Sequence, residues 1–202
     1  MSSTVQFFVR NDEIKKLYDY RNKTVMDNLL QMIKDRGYIV ESSFGDNKGK
    51  TFYKENGDSL FVFIFGDENG MEIVKEFSKN FQDHVTETII LMNQPLSSKA
   101  DSTLKEIMMP YNFQIFLKEE LYIRPPDHFL VPKHIEMTQD EKAVFLKENP
   151  NINPANLPMI KKTDAVVKYY NWKLGTIVKI ERESIFSEFI VRKSYYYRIV
   201  VD

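Results

Sequence analysis

Between residues 12 and 35 the apolar positions recur every three or four residues: Ile14, Leu17, Tyr18, Val25, Leu29, Met32 and Ile33. That spacing predicts an amphipathic helix, and Gly37 stands where a C-cap belongs. Tyr38–Val40 reads as a short strand. Two polar, turn-rich stretches follow, GDNKGK and KENGD, the second carrying the Asn56-Gly57 pair of a hairpin turn. The period then changes. SLFVFIF (59–65) is almost wholly apolar over a strand's length, as expected of a central strand buried on both faces. MEIVKEFSKNFQDH (71–84) returns to helical spacing, with Met71, Val74, Phe77 and Phe81 toward a core. TETIILM (86–92) predicts a second buried strand, NQPLSSKADS a loop, residues 103–109 a short helix, and YNFQIFL (111–117) a third strand. Strands alternating with helices argue for an α/β layered domain over residues 1–122.

At IRPPD (123–127) two prolines deny the helix and stiffen the chain, which marks a linker. The texture differs beyond it. Thr138 and Glu141 form a T-x-x-E capping box at the start of a helix over 138–148, which stops at Asn149-Pro150. NPNINP is a turn. A second helix is expected over 163–171, with Asp164 in its first turn facing the positive end of the dipole. TIVKIER (176–182) alternates as a half-buried strand, SYYYRIVVD (194–202) is another, and SEFIVRK (187–193) is a further candidate. Residues 128–202 therefore read as a small α+β domain.

Composition narrows the function classes. The chain of 202 residues is 43% hydrophobic and 28% charged, which supports a sizeable core. It has no cysteine, which excludes disulfides, Cys-ligated zinc and a thiol nucleophile. No apolar run approaches the roughly 18 residues that span a bilayer, and the first residues lack a signal-peptide pattern. An intracellular soluble protein is expected. Net charge is −1 but uneven: residues 1–130 carry 16 Lys/Arg against 20 Asp/Glu, residues 131–202 carry 12 against 9. Neither half has the clustered cations of a free-standing nucleic-acid binder.

The chemical motifs do not assemble an active site. GDNKGKT resembles a phosphate-cradling loop, but only three residues separate Gly45 from Gly49 where that loop needs four, and the continuation TFYKENGD reads as strand and turn. Of the three histidines, His128 and His134 lie six residues apart across Pro132, share no helical face and lack a third ligand; Asp127 and Glu136 are better explained as surface. No G-x-S-x-G is present, and the nearest acid–x–Lys groups, Glu13 with Lys15 and Asp46 with Lys48, fall on the first helix and in a loop. No metal or cofactor is expected.

The stretch DHFLVPKHIEMTQDEK (127–142) is more specific. His128, Leu130, Val131, Pro132 and His134, followed by Asp140-Glu141-Lys142, resemble the H-x-L-V-P-x-H segment and the following D-E-K-rich helix of one polymerase family. That family is the fifth subunit common to the eukaryotic nuclear RNA polymerases, together with its archaeal RNA polymerase counterpart. The resemblance continues through Leu157-Pro158, Ile160, Asp164, Val166, Tyr169, Lys173, Gly175, Val178-Lys179-Ile180 and Arg182 to Tyr197-Arg198. KDRGY (34–38) matches the family's D-R-G-Y more thinly, and Ser98 and Ala100 of NQPLSSKA stand where a family loop ends T-P-S-A. Some positions depart: Asp164-Ala165-Val166 replaces D-P-V, Asn171-Trp172-Lys173 replaces G-x-K, and ESIFSEFIVRKS replaces a shorter glycine-containing turn. These suggest a diverged or viral member.

The resemblance implies a non-catalytic subunit of a DNA-directed RNA polymerase with two domains. One is an α/β N-terminal jaw (1–122; three-layer, nuclease-like without an active site). The other, after the 123–127 linker, is a small α+β assembly domain with a mixed sheet (128–202). The assembly domain would dock on the largest subunit, among other polymerase subunits, through His128, Leu130, Val131, Pro132, His134, Asp164, Tyr169, Gly175, Tyr197 and Arg198. Val178, Ile180 and Ile199 read instead as packing. The jaw would touch downstream double-stranded DNA without reading bases, through Ser97, Ser98 and Lys99. The chain would be monomeric when isolated, bind no membrane, and reside in the nucleus if cellular or in the virion or host cytoplasm if viral. Two readings stay open beside this one: a scaffold or DNA-binding adaptor that binds transcription factors outside the polymerase, and a decayed nuclease-like domain that binds DNA alone.

Overall fold

The computed structural model describes residues 11–41, 48–66, 70–80, 85–108, 111–187 and 190–202. They belong to two compact units, Met1–Tyr122 and Ile123–Asp202.

The first unit opens with helix α1 (Asn11–Asp35). It ends where Gly37, at φ 86°, lets the chain turn left-handed. The Gly37 amide then donates to Lys34 O (2.8 Å) and the Tyr38 amide to Ile33 O (3.2 Å), satisfying two carbonyls the helix would leave open. The expected strand at 38–40 reduces to a single bridge between Ile39 and Tyr53. Strand β1 (Gly49–Tyr53) and strand β2 (Ser59–Ile64) form an antiparallel hairpin around Asn56-Gly57. Gly49-Lys50-Thr51 thus lies in a ladder against Phe61–Phe63 and precedes no helix; Gly45 lies outside the described residues. A Cβ on Gly49 would stand 3.0 Å from the rings of Phe61 and Phe63, so glycine is there to let two aromatics cross the strand.

Helix α2 (Gly70–Asn80), strand β3 (Glu87–Met92), helix α3 (Ser98–Met108) and strand β4 (Phe113–Leu117) complete the unit. The sheet order is β1-β2-β3-β4, with β2, β3 and β4 parallel. The apolar runs of β2 and β3 occupy the two central positions, buried on both sides as their sequences require. On one face Phe61, Phe63, Ile90 and Met92 pack with Val74 and Phe77 of α2 and Leu104 and Met108 of α3. The opposite face carries Leu60, Val62, Ile89 and Leu91, all fully buried. There Arg36, just past α1, donates to Gln114 Oε1 (2.7 Å) and stands 3.6 Å from Glu87 Oε2. Two expectations change: α3 begins at Ser98 rather than 103, because Ser97 caps it, and Met71 is exposed while its neighbour Ile73 is buried. Phe81 and His84 lie outside the described residues.

The second unit holds strand β5 (Lys133–Glu136), helix α4 (Gln139–Glu148), strand β6 (Met159–Lys161), helix α5 (Ala165–Tyr170), strand β7 (Ile177–Ser187) and strand β8 (Ile190–Val201). Its sheet is mixed, in the order β5-β7-β8-β6: β6 runs parallel to β8, and the other pairs are antiparallel. Strands β5 and β6, of four and three residues, are too short to show a period in the sequence. SEFIVRK is no separate strand: Ser187 ends β7, Ile190–Lys193 belong to β8, and residues 188–189 lie outside the described residues. The Thr138–Glu141 capping box forms as expected, with Thr138 N–H donating to Glu141 Oε2 at 2.8 Å. Asp164 is the N-cap of α5, not part of its first turn: its Oδ1 accepts from the Val166 amide at 2.9 Å. Ile160, Val166, Val167, Trp172, Val178, Ile180 and Val200 close the core on one side of the sheet.

Candidate partner interface

The H-x-L-V-P-x-H stretch folds as a knob with a half-buried root. A short 3-10 turn at Pro125–Asp127 delivers His128, whose carbonyl accepts from the Val131 amide at 2.8 Å. This tight turn throws Phe129 and Leu130 outward, where they are 88% and 72% exposed. Val131 points the other way and packs against the unit's core. Pro132 then fixes φ and feeds the chain into β5. The histidines brace the turn. His128 lies 5.0 Å from the Phe129 ring in a stacked arrangement, and its Nδ1 accepts from the Leu130 amide at 3.3 Å. His134 Nδ1 lies 2.7 Å from Pro132 O. A carbonyl can only accept, so the proton sits on Nδ1 of His134 and Nε2 is left for another partner.

The knob borders a cavity of about 650 Å³ lined by Phe129, Leu130, Pro132, Lys133, Glu181, Arg182 and Glu183. Phe129, absent from the predicted set, is the most exposed large apolar side chain among the described residues. The signal for it in the sequence is its place between two matched positions. Burying a phenylalanine or leucine contributes about 1.5–3 kcal/mol, so this pair has the character of an interface anchor.

The other sequence-predicted residues disperse. Tyr197 and Arg198 lie on β8, on the far side of β7 from β5, so they do not join the knob. Tyr197 packs on Phe145 with ring centroids 4.3 Å apart, and Arg198 donates from Nη1 to Met159 O at 3.1 Å. Both border a second cavity, of about 460 Å³, with Leu157 and Pro158. Gly175 is an exposed turn residue at φ 82° whose amide donates to Val200 O. Tyr169 is 1% exposed and belongs to the core, and the half-buried Asp164 caps α5.

Ser97, Ser98 and Lys99 are all exposed. They do not form the expected loop. Ser97 is the N-cap residue of α3, its Oγ accepting from the Ala100 amide at 3.4 Å, and Ser98 and Lys99 form the helix's first turn. Neither the knob nor this turn contains a nucleophile–base pair, and among the described residues no three His, Asp or Glu side chains cluster as metal ligands.

Comparison with known proteins decides the family. The family description RNA polymerase Rpb5, C-terminal domain, matches residues 123–200, nearly the whole second unit. The DNA-directed RNA polymerases I, II, and III subunit rpabc1 of Dictyostelium discoideum is 31% identical, covering 86% of this chain and 93% of that protein. The chain belongs to the Rpb5 family. It is similar also to the DNA-directed RNA polymerases I, II, and III subunit RPABC1 of Caenorhabditis elegans (28% identical; 84% and 92% covered). A third relative is the DNA-directed RNA polymerase subunit 5-like protein 1 of Arabidopsis thaliana (27%; 85% and 91%). These alignments reach well beyond residues 123–200, so the Rpb5 likeness takes in the first unit too. As an Rpb5-type chain this is a non-catalytic subunit of a DNA-directed RNA polymerase.

Proposed function

We propose that the second unit is the assembly domain of this subunit and that it docks on the largest polymerase subunit through the knob. One observation carries the reading: Phe129 and Leu130 stand in solvent on a braced turn inside the family-matched region. His128 and His134 sit at the rim, where a half-buried imidazole can donate to a partner. Tyr197 and Arg198 form a separate secondary contact across the sheet. We assign the first unit the role of the jaw, a nuclease-like layered frame without an active site. Ser98 and Lys99, in the first turn of α3, offer amides and one cation to the phosphate backbone of downstream duplex DNA. The excess of acids in residues 1–130 keeps this contact weak, salt-sensitive and dependent on the assembled enzyme. The isolated chain is a monomer; a cell-encoded protein acts in the nucleus, a virus-encoded one in the virion or host cytoplasm.

The test is purification of the tagged full chain from its native source, with mass spectrometry of what co-elutes at moderate salt. Stoichiometric recovery of the two large polymerase subunits is expected. The double variant Phe129→Ser/Leu130→Ser alters only exposed side chains and should lose them. Undiminished recovery with that variant would refute the knob as the docking element.

A further inference from the structure

A second surface lies between helix α4 and the sheet, and of the docking residues above it includes only Tyr197. Its floor is one straight row across three strands: Ile135 of β5 faces Lys179 of β7, which faces Tyr197 of β8. Its wall is the stripe Asp140, Val144, Glu148, spaced four residues apart and so stacked on one face of α4. The groove between them holds about 430 Å³, and Val144 is 54% exposed beside it.

The charge of this groove is asymmetric. Lys179 is the only cation among its lining residues, and its Nζ lies over the ring of Tyr195, 4.3 Å from the centroid. Glu141 is tied to the Thr138 amide. Among the described residues Asp140 and Glu148 have no salt-bridge partner. Two carboxylates therefore flank an exposed valine, one at each end. Eight residues of helix separate them, about 12 Å at 1.5 Å per residue. In an extended peptide, residues i, i+2 and i+4 point to one side and span about 13 Å. The two spacings match.

We propose that this groove binds an extended segment of a partner protein with the pattern basic–x–apolar–x–basic. Its apolar side chain enters over Val144 onto the Ile135–Tyr197 floor, and its two Lys or Arg side chains meet Asp140 and Glu148. The proposal is independent of docking through the knob, so loss of polymerase recovery in the knob variant leaves it standing.

The experiment is an NMR titration of the full chain with three synthetic peptides, GKSLSKG, GESLSEG and GKSSSKG. The first should shift the amides of Ile135, Val144 and Tyr197 in a saturable, salt-weakened way. The other two should bind at least fivefold more weakly. Asp140→Asn/Glu148→Gln should weaken GKSLSKG at least fivefold, and Val144→Ser, which keeps both charges, should remove its advantage over GKSSSKG. Shifts that map elsewhere, an equal response to GESLSEG, or indifference to both variants would overturn the proposal.

Discussion

Replacing Arg36 by methionine tests whether the first unit depends on a buried ion pair. The Arg36 side chain is 3% exposed and lies 3.6 Å from Glu87. At an effective dielectric of about 20, unit charges at that separation attract by about 4.6 kcal/mol, and desolvation of both groups offsets much of this. Removing one partner is a different matter. The carboxylate stays behind, its side chain 20% exposed, and Gln114 loses its 2.7 Å donor. Breaking a buried pair in this way costs roughly 3–5 kcal/mol. Methionine keeps most of the volume, so little of the loss comes from a cavity. The read-out is hydrogen exchange of the amides of β3, which runs through the sheet centre and opens only with the whole unit. At 1.4 kcal/mol per factor of ten, a loss of about 3 kcal/mol speeds exchange roughly a hundredfold. Adding Glu87→Met should recover part of the loss. A single-variant acceleration below fivefold, or strictly additive effects in the double variant, would show that the pair is not what the fold relies on.

Gly37→Ala forces a Cβ into φ 86° and should destabilise the α1 terminus by about 1 kcal/mol, seen as faster exchange at Tyr38 and Ile39. Thr138→Ala should cost α4 about 1 kcal/mol by removing its cap, measured by urea unfolding followed through Trp172 fluorescence, Trp172 lying in the core of the same unit. Hydrogen bonds from Thr138 hold the Glu141 carboxyl below the usual carboxylate range, so this support is present above that range and is lost as pH falls through the depressed value. Glu141→Gln should abolish the acid-linked change in Thr138 and Glu141 amide shifts. Burial, aided by Glu87, holds the Tyr38 phenol well above its ordinary range. The stability it confers is complete below pH about 10 and falls as pH rises further, and Tyr38→Phe should flatten that alkaline slope in circular dichroism.

Strong, long patterns were legible in the sequence: α1, the apolar strands β2 and β3, and the α4 cap each declare themselves by period or by a paired capping signal. What escaped lacks a local signal. Strand β6 is three residues whose strand character comes wholly from pairing with Ile199–Val201. The early start of α3 rests on one serine, and serines favour loops as readily as caps. The candidate interface was legible by motif but not by geometry. Matched positions include Leu130 and Pro132, which the structure places in the knob, yet they point equally to Tyr169, which lies in the core. Phe129 stands at a variable position of the motif, and only the turn at His128–Val131 reveals it as the outermost side chain.

The strand order β5-β7-β8-β6 also bears on how the chain is made. Among the described residues strand β6 pairs only with β8, which is translated almost 30 residues later and takes up the central place between β6 and β7. On the ribosome, helix α4 and strand β6 must therefore wait, with Ile160 uncovered, until residues 190–201 have emerged. The first unit needs nothing beyond Tyr122 to close its own sheet. Vectorial synthesis thus has the unit we assign to DNA complete its sheet before the unit we assign to assembly can finish, so an aborted nascent chain keeps the former and lacks the latter.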